Sequence, residues 1–143
     1  MSARPGLVLV VDDDAAVRNS LKFALELEGL EVRLYADAEA LLRDAAIPET
    51  GCLVVDYYMR PMNGLDLVRS LRRRRIALPA ILITAQATAE LRERARADGI
   101  CTVLEKPLED SALLDTIRSA LGAVQAVQAP LSPSLDDVRP LPC

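Results

Sequence analysis

The sequence predicts an α/β fold: a doubly wound parallel sheet of five strands with helices on both faces. Three observations predict it. Val8-Leu9-Val10-Val11 runs straight into Asp12-Asp13-Asp14, and Cys52-Leu53-Val54-Val55 runs into Asp56. A continuous apolar run bounded by polar residues reads as a strand buried on both faces, as in a parallel sheet. Such runs alternate with stretches of helical spacing, and a βα unit repeated five times implies a parallel sheet with crossover helices. Finally, 143 residues with 51% hydrophobic content suffice for one domain with a sizeable core.

Each element has its own signal. Strand one is expected at 7–11, and Asp14 can cap the helix that follows. Val17, Leu21, Ala24 and Leu25 fall at helical spacing, and Gly29 closes that helix. Residues 30–35 form a second, more polar strand, expected at a sheet edge. Asp37 caps a short helix to about 46. Pro48 and Gly51 mark the turn into strand three, which ends at Asp56. A loop holding Pro61 and Gly64 leads to a helix at 65–74. Pro79 precedes strand four at 80–84. An Arg-rich helix at 88–98 is closed by Gly99, strand five is expected at 100–104, and Asp110 or Ser111 caps a last helix to 121. Residues 1–122 thus form the folded domain. Pro130, Pro133, Pro140 and Pro142, with no aromatic residue nearby, mark 123–143 as a disordered tail or linker stub.

Composition narrows the function classes. Histidine is absent, which removes histidine metal sites, histidine bases and Ser-His-Asp triads. Aromatic residues make up 3% of the chain, so aliphatic side chains fill the core. A net charge of −4 argues against nucleic acid as the main partner. Cys52, Cys101 and Cys143 lack metal-ligand spacing. Cys52 and Cys101 lie in apolar runs and are expected as buried free thiols, which suits a reducing compartment. No apolar run approaches a membrane span and the residues before strand one are too few for a signal peptide, so a cytoplasmic location is expected.

The acids stand at the carboxyl ends of the strands, where open α/β sheets place their ligands. Asp12, Asp13 and Asp56 repel one another unless a cation or protons intervene. An anionic all-oxygen site without His or Cys favours a hard divalent cation, Mg²⁺ or Mn²⁺. Thr84 ends strand four and Lys106 follows strand five, which brings a hydroxyl and an ammonium to the same edge. Together they read as a carboxylate nucleophile with groups for stabilising a transferring phosphoryl.

With these residues in place the chain resembles a response-regulator receiver domain of two-component signalling, of the FixJ/NarL kind. The resemblance covers about 6–122. It rests on Asp12-Asp13 after strand one, on Asp56 followed by Met59 and Gly64, on Thr84-Ala85, and on Lys106-Pro107. It implies the flavodoxin/CheY-like strand order 2-1-3-4-5. It makes Asp56 the phosphoacceptor for a phosphoryl group held by the histidine of a partner kinase or phosphotransfer protein. Mg²⁺ would be bound by Asp12, Asp13, Asp56 and the backbone carbonyl of Tyr58. Thr84 would bond the phosphoryl group and Lys106 would pair with it. The Lys106–Pro107 bond is often cis in this family, a minority state that a fold must hold in place. Such a module catalyses its own phosphorylation and slow hydrolysis but is not a turnover enzyme. It would signal to a downstream partner, or dimerise, through the face of the fourth helix, strand five and last helix, without contacting nucleic acid or membrane itself.

Three features depart from that pattern. The loop reads Met59-Arg60-Pro61, with its proline one place late. Val103 stands three before the lysine, where the family usually has Tyr or Phe, so a rotating aromatic cannot report phosphorylation here. Tyr57 and Tyr58 follow the nucleophile directly, and a bulky Tyr58 could shield an acyl phosphate from water.

Simpler readings stand beside these. Asp14 is an N-cap rather than a ligand. Taken singly, Thr84 is a strand-end hydroxyl and Lys106 a solvated lysine; joint placement is what raises them. Arg69 and Arg72 to Arg75 read as a solvated helix end favoured by the helix dipole. Arg92, Arg94 and Arg96 with Glu90 and Glu93 read as an exposed helix face. Leu91, Leu113 and Leu114 are candidates for an apolar patch beside it, with core packing the default. Two other functions compete: a phosphatase of the haloacid-dehalogenase type, with Asp12 as nucleophile of an Asp-x-Asp pattern, and a receiver-like adaptor that works without phosphate. The first lacks a late acidic pair and room for a cap domain. The second is disfavoured by the intact acid, Thr and Lys set.

Overall fold

The structure is a computed structural model. It describes residues 6–100 and 102–127, with side chains at 6–100, 102–109 and 111–122. The elements run β1 (Leu7–Val11), α1 (Ala15–Leu27), β2 (Glu31–Tyr35), α2 (Ala38–Leu42), β3 (Cys52–Asp56), α3 (Gly64–Arg73), β4 (Ala80–Thr84), α4 (Ala89–Ala97), β5 (Thr102–Glu105) and α5 (Asp110–Val127). The five strands form one parallel sheet in the order β2-β1-β3-β4-β5. The fold class and strand order are as expected, with the polar β2 at an edge.

Strand alternation divides the core in two. Leu7, Leu9 and Val11 of β1, with Leu53, Val55, Ala80 and Leu82, face α2, α3 and α4. Val8 and Val10, with Cys52, Val54, Ile81 and Ile83, face α1 and α5 through Leu25, Leu113 and Ile117. Every residue of β1, β3 and β4 is buried, which is why those strands read as unbroken apolar runs. Cys52 is a buried thiol, and burial pushes it up to about 12. Cys101 and Cys143, and the 128–143 part of the expected tail, lie outside the described residues.

Local chemistry sets the boundaries that differ from expectation. Helix α2 stops at Leu42 rather than near 46, because the Asp44 carboxylate accepts a bond from Ala46 N–H at 2.8 Å and draws the chain into a turn. Strand β5 starts at Thr102 rather than Ile100. The Ile100 N–H instead closes α4 on Ala95 O at 2.9 Å, with Gly99 at φ +85°. Helix α3 is capped by Asn63, whose Oδ1 accepts from Asp66 N–H at 2.8 Å. Helix α5 starts at Asp110, and the Glu109 carbonyl accepts from the Ala112 and Leu113 N–H groups; the side chain of Asp110, one of the two expected caps, lies outside the described residues. It runs to Val127, past the expected end at 121, since no proline interrupts it before Pro130. Leu91 and Leu113 are buried and Leu114 packs against the α1–α5 core, so these residues form no exposed patch. The arginines of α4 are exposed as expected.

Candidate phosphoryl-transfer site

Register brings the acids together. Val11 pairs with Val55, so the next residues, Asp12 and Asp56, stand side by side at the carboxyl ends of β1 and β3. One carboxylate oxygen each from Asp12, Asp13 and Asp56 lies within 4.8 Å of the others. Asp12 and Asp56 are buried, whereas Asp13 is exposed. Asp14 does not join them: its side chain accepts from Ala16 and Val17 and caps α1.

Asp12 is fixed from two sides. Its Oδ1 accepts from Asp14 N–H at 2.9 Å, and the Arg18 guanidinium donates to its backbone carbonyl at 2.7 Å. Lys106 Nζ stands 3.2 Å from Asp56 Oδ1. That oxygen is fully buried and accepts no hydrogen bond of regular geometry, so the ammonium is its close partner among the described residues. Burial pushes the Asp56 carboxyl up to about 6, the charge on Asp12 adds to this, and Lys106 opposes it. Burial also raises Asp12, against the Asp14 N–H and Lys106, which hold it down.

Thr84 is fully buried at the end of β4. Its Oγ1 accepts from Gln86 N–H at 3.2 Å and donates to Gln86 O at 3.3 Å. Lys106 is set beside it by a bond from Lys106 N–H to Thr84 O at 2.8 Å, and the following Lys106–Pro107 bond is cis.

The loop after Asp56 turns tightly on the Tyr57 carbonyl, which accepts from Met59 N–H at 3.1 Å and Gly64 N–H at 3.0 Å. Met59 is buried in the core, and Arg60–Pro61 is a second cis bond. Gly64 is demanded by close approach: a Cβ there would lie 2.5 Å from Asp56 O and 2.7 Å from Val55 Cγ1. The Tyr58 carbonyl accepts no hydrogen bond among the described residues. The Tyr58 ring is 56% exposed and meets Tyr57 edge-on at 4.8 Å between centroids. The two tyrosines, Gln86, Thr88 and Arg94 line a cavity of about 100 Å³.

The structure therefore brings together Asp12, Asp13, Asp56 and Lys106, with Thr84 at the end of the neighbouring strand. The donor set is all oxygen, anionic and partly buried, and one carboxylate oxygen is unsatisfied by hydrogen bonds; these properties fit a hard divalent cation. Sequence reasoning misses the supporting bonds of Arg18 and Gln86, and a third in which the Glu105 carboxylate accepts from the Ala87 N–H at 3.1 Å. Arg18 lies six residues from Asp12 and reaches it only because α1 begins at once after β1. Among the described residues no helix is long and apolar enough to cross a membrane.

Comparison with known proteins agrees with this geometry. The pattern of the response regulator receiver domain matches residues 8–118. The chain is 40% identical over 116 residues to the transcriptional regulatory protein FixJ of Azorhizobium caulinodans, covering 80% of this chain and 54% of that one. The chain spans between half and two thirds of the length of the FixJ relatives it matches. Among solved structures, FixJ-N superposes with a TM-score of 0.74 at 32% identity, covering 94% of this chain and 100% of that one. A CheY-like receiver domain protein from Methanospirillum hungatei JF-1 superposes with a TM-score of 0.77 at 27% identity, covering 85% and 97%.

Proposed function

The chain belongs to the response regulator receiver domain family, and from that premise we propose that it accepts a phosphoryl group on Asp56 and switches partner binding. The observation that carries this reading is the buried Asp56 Oδ1, 3.2 Å from Lys106 Nζ and within 4.8 Å of carboxylate oxygens of Asp12 and Asp13. The donor would be a phosphohistidine on a sensor kinase or phosphotransfer protein. Asp56 Oδ attacks phosphorus, the P–N bond breaks, and the imidazole leaves with a proton from solvent. Lys106 pairs with the phosphoryl oxygens, and the Thr84 hydroxyl donates to one of them.

Asp12, Asp13, Asp56 and the Tyr58 carbonyl would hold Mg²⁺ or Mn²⁺. When bound, the cation neutralises the carboxylates and the charge on the transferring group. Asp12 is held for this role by Arg18 and the Asp14 N–H. The product signals through α4, β5 and α5 to a protein partner or second copy, in the cytoplasm, with no turnover beyond slow self-hydrolysis. Residues up to about 122 would carry this function.

The test is intact mass after incubation with acetyl phosphate and Mg²⁺. An adduct of one phosphoryl group that disappears with chelator and in Asp56→Asn is expected. A folded wild-type chain that gains no mass with two different small donors would overturn the reading in favour of a phosphate-independent adaptor.

A further inference from the structure

Glu105 ends β5 and is the ladder partner of Thr84, which ends β4. Its Oε2 accepts a hydrogen bond from the Ala87 N–H at 3.1 Å. Ala87 lies in the short loop between Thr84 and Thr88, the N-cap of α4. The Thr84 hydroxyl is itself bound by that loop, through the Gln86 N–H and the Gln86 carbonyl. Among the described residues, and apart from the Thr84 hydroxyl itself, Glu105 supplies the one side-chain hydrogen bond that reaches 85–87.

A hydroxyl carries a single proton. Thr84 Oγ1 cannot give it both to Gln86 O and to a phosphoryl oxygen. Accepting a phosphoryl on Asp56 therefore exchanges one acceptor for the other, and the aim of the hydroxyl during that exchange depends on where the loop is held. Thr84 is already fixed at its own carbonyl by Lys106 N–H. The next hold along the chain is the Glu105 carboxylate. Farther along α4, the Arg92 guanidinium donates to Val103 O at 3.3 Å, which ties the helix to β5 a second time. Val103 has no polar side chain and is buried beneath α4, so it cannot take the place of Glu105.

We propose that Glu105 is a positioning residue for phosphoryl transfer at Asp56: by holding the Ala87 N–H it fixes the loop that aims the Thr84 hydroxyl. This rests on the phosphoacceptor reading above. It assigns the link between the site and the start of α4 to a carboxylate–amide bond, in a chain with no aromatic residue at position 103. Glu105 acts through an acceptor oxygen, not through its charge, so an amide in its place retains the function.

The test is the rate of phosphoryl gain from acetyl phosphate with Mg²⁺, followed by intact mass on the full chain. The variants are Glu105→Leu, Glu105→Gln, Thr84→Ala and the double variant Glu105→Leu/Thr84→Ala, with thermal melts to show that each folds. Loss of one hydrogen bond predicts Glu105→Leu slower by about three- to tenfold. Glu105→Gln should stay within about twofold of the wild type, since its amide oxygen still accepts from Ala87. In the Thr84→Ala background Glu105→Leu should cost nothing more, because the hydroxyl it positions is gone. A Glu105→Leu rate equal to wild type, a Glu105→Gln rate as slow as Glu105→Leu, or a loss that multiplies in full with Thr84→Ala overturns the proposal. No adduct in the wild type sinks instead the phosphoacceptor reading on which it stands.

Discussion

Lys106 Nζ stands 3.2 Å from Asp56 Oδ1, and this ion pair spans β4, joining the end of β3 to the turn after β5. The ammonium is the positive charge that offsets Asp12 and Asp13 at Asp56, the proposed phosphoacceptor. Replacing it with Lys106→Met leaves Asp56 among like charges in a buried site. Its carboxyl should then titrate above the wild-type value of about 6, read from carboxyl carbon chemical shifts in chelator. Phosphorylation by acetyl phosphate should slow by at least about tenfold. A titration that moves down would show that the pair does not form.

The acid pocket should make the metal-free protein less stable at neutral pH. The Asp56 carboxyl is raised from 3.8 to about 6 on folding, so between those values the folded chain binds the extra proton. Its contribution is fully present below 3.8 and is lost as pH rises through about 6. Asp56→Asn removes the buried charge. It should stabilise the chain in chelator at pH 7 by roughly 1–3 kcal/mol, with the gain vanishing near pH 4. Urea unfolding at the two pH values checks this, and a gain that is larger at pH 4 would contradict the sign.

Much of this site was legible before the fold was known, and for a physical reason. Asp12, Asp56 and Thr84 each follow or end a strand buried on both faces, so an abrupt change from apolar to polar marked both the strand end and the site. Lys106 was placed by the same logic after β5. The supporting bonds of Arg18, Gln86 and Glu105 were not legible, because they depend on loop paths and helix starts that no periodicity encodes. The end of α2 was hidden similarly in one side-chain bond of Asp44. For Leu91 and Leu113 the sequence leaves a surface patch open beside the default of core packing, because amphipathic spacing alone does not say which way a short helix turns its leucines; both pack in the core.

Gly64 tests how tightly the loop after Asp56 must close. A methyl group there would lie 2.5 Å from the Asp56 carbonyl, which is strand backbone, and 3.0 Å from Cδ1 of the fully buried Leu82. Gly64→Ala should cost about 1–3 kcal/mol in urea unfolding. It should also slow phosphorylation, because relieving the clash displaces Asp56. An unchanged midpoint would mean that the turn on the Tyr57 carbonyl relaxes at little cost.

Tyr58 follows Asp56 by two residues, and its exposed ring leans on that of Tyr57. A ring covering an acyl phosphate on Asp56 would limit the approach of water to it. Tyr58→Asn keeps the backbone carbonyl and removes the cover. Once donor is withdrawn, its adduct should decay about two- to fivefold faster than that of the wild type. Equal lifetimes would show that the ring stands clear of the path of water.

The measurement that bears most directly on the central claim is the location of the phosphoryl group. The wild-type chain, loaded with acetyl phosphate and Mg²⁺, is treated with borohydride, which reduces an acyl phosphate to an alcohol, and the resulting peptides are sequenced by tandem mass spectrometry. Homoserine is expected at position 56, with positions 12 and 13 unchanged. Homoserine at position 12 with position 56 intact would contradict it and point to an Asp12 nucleophile of the phosphatase kind.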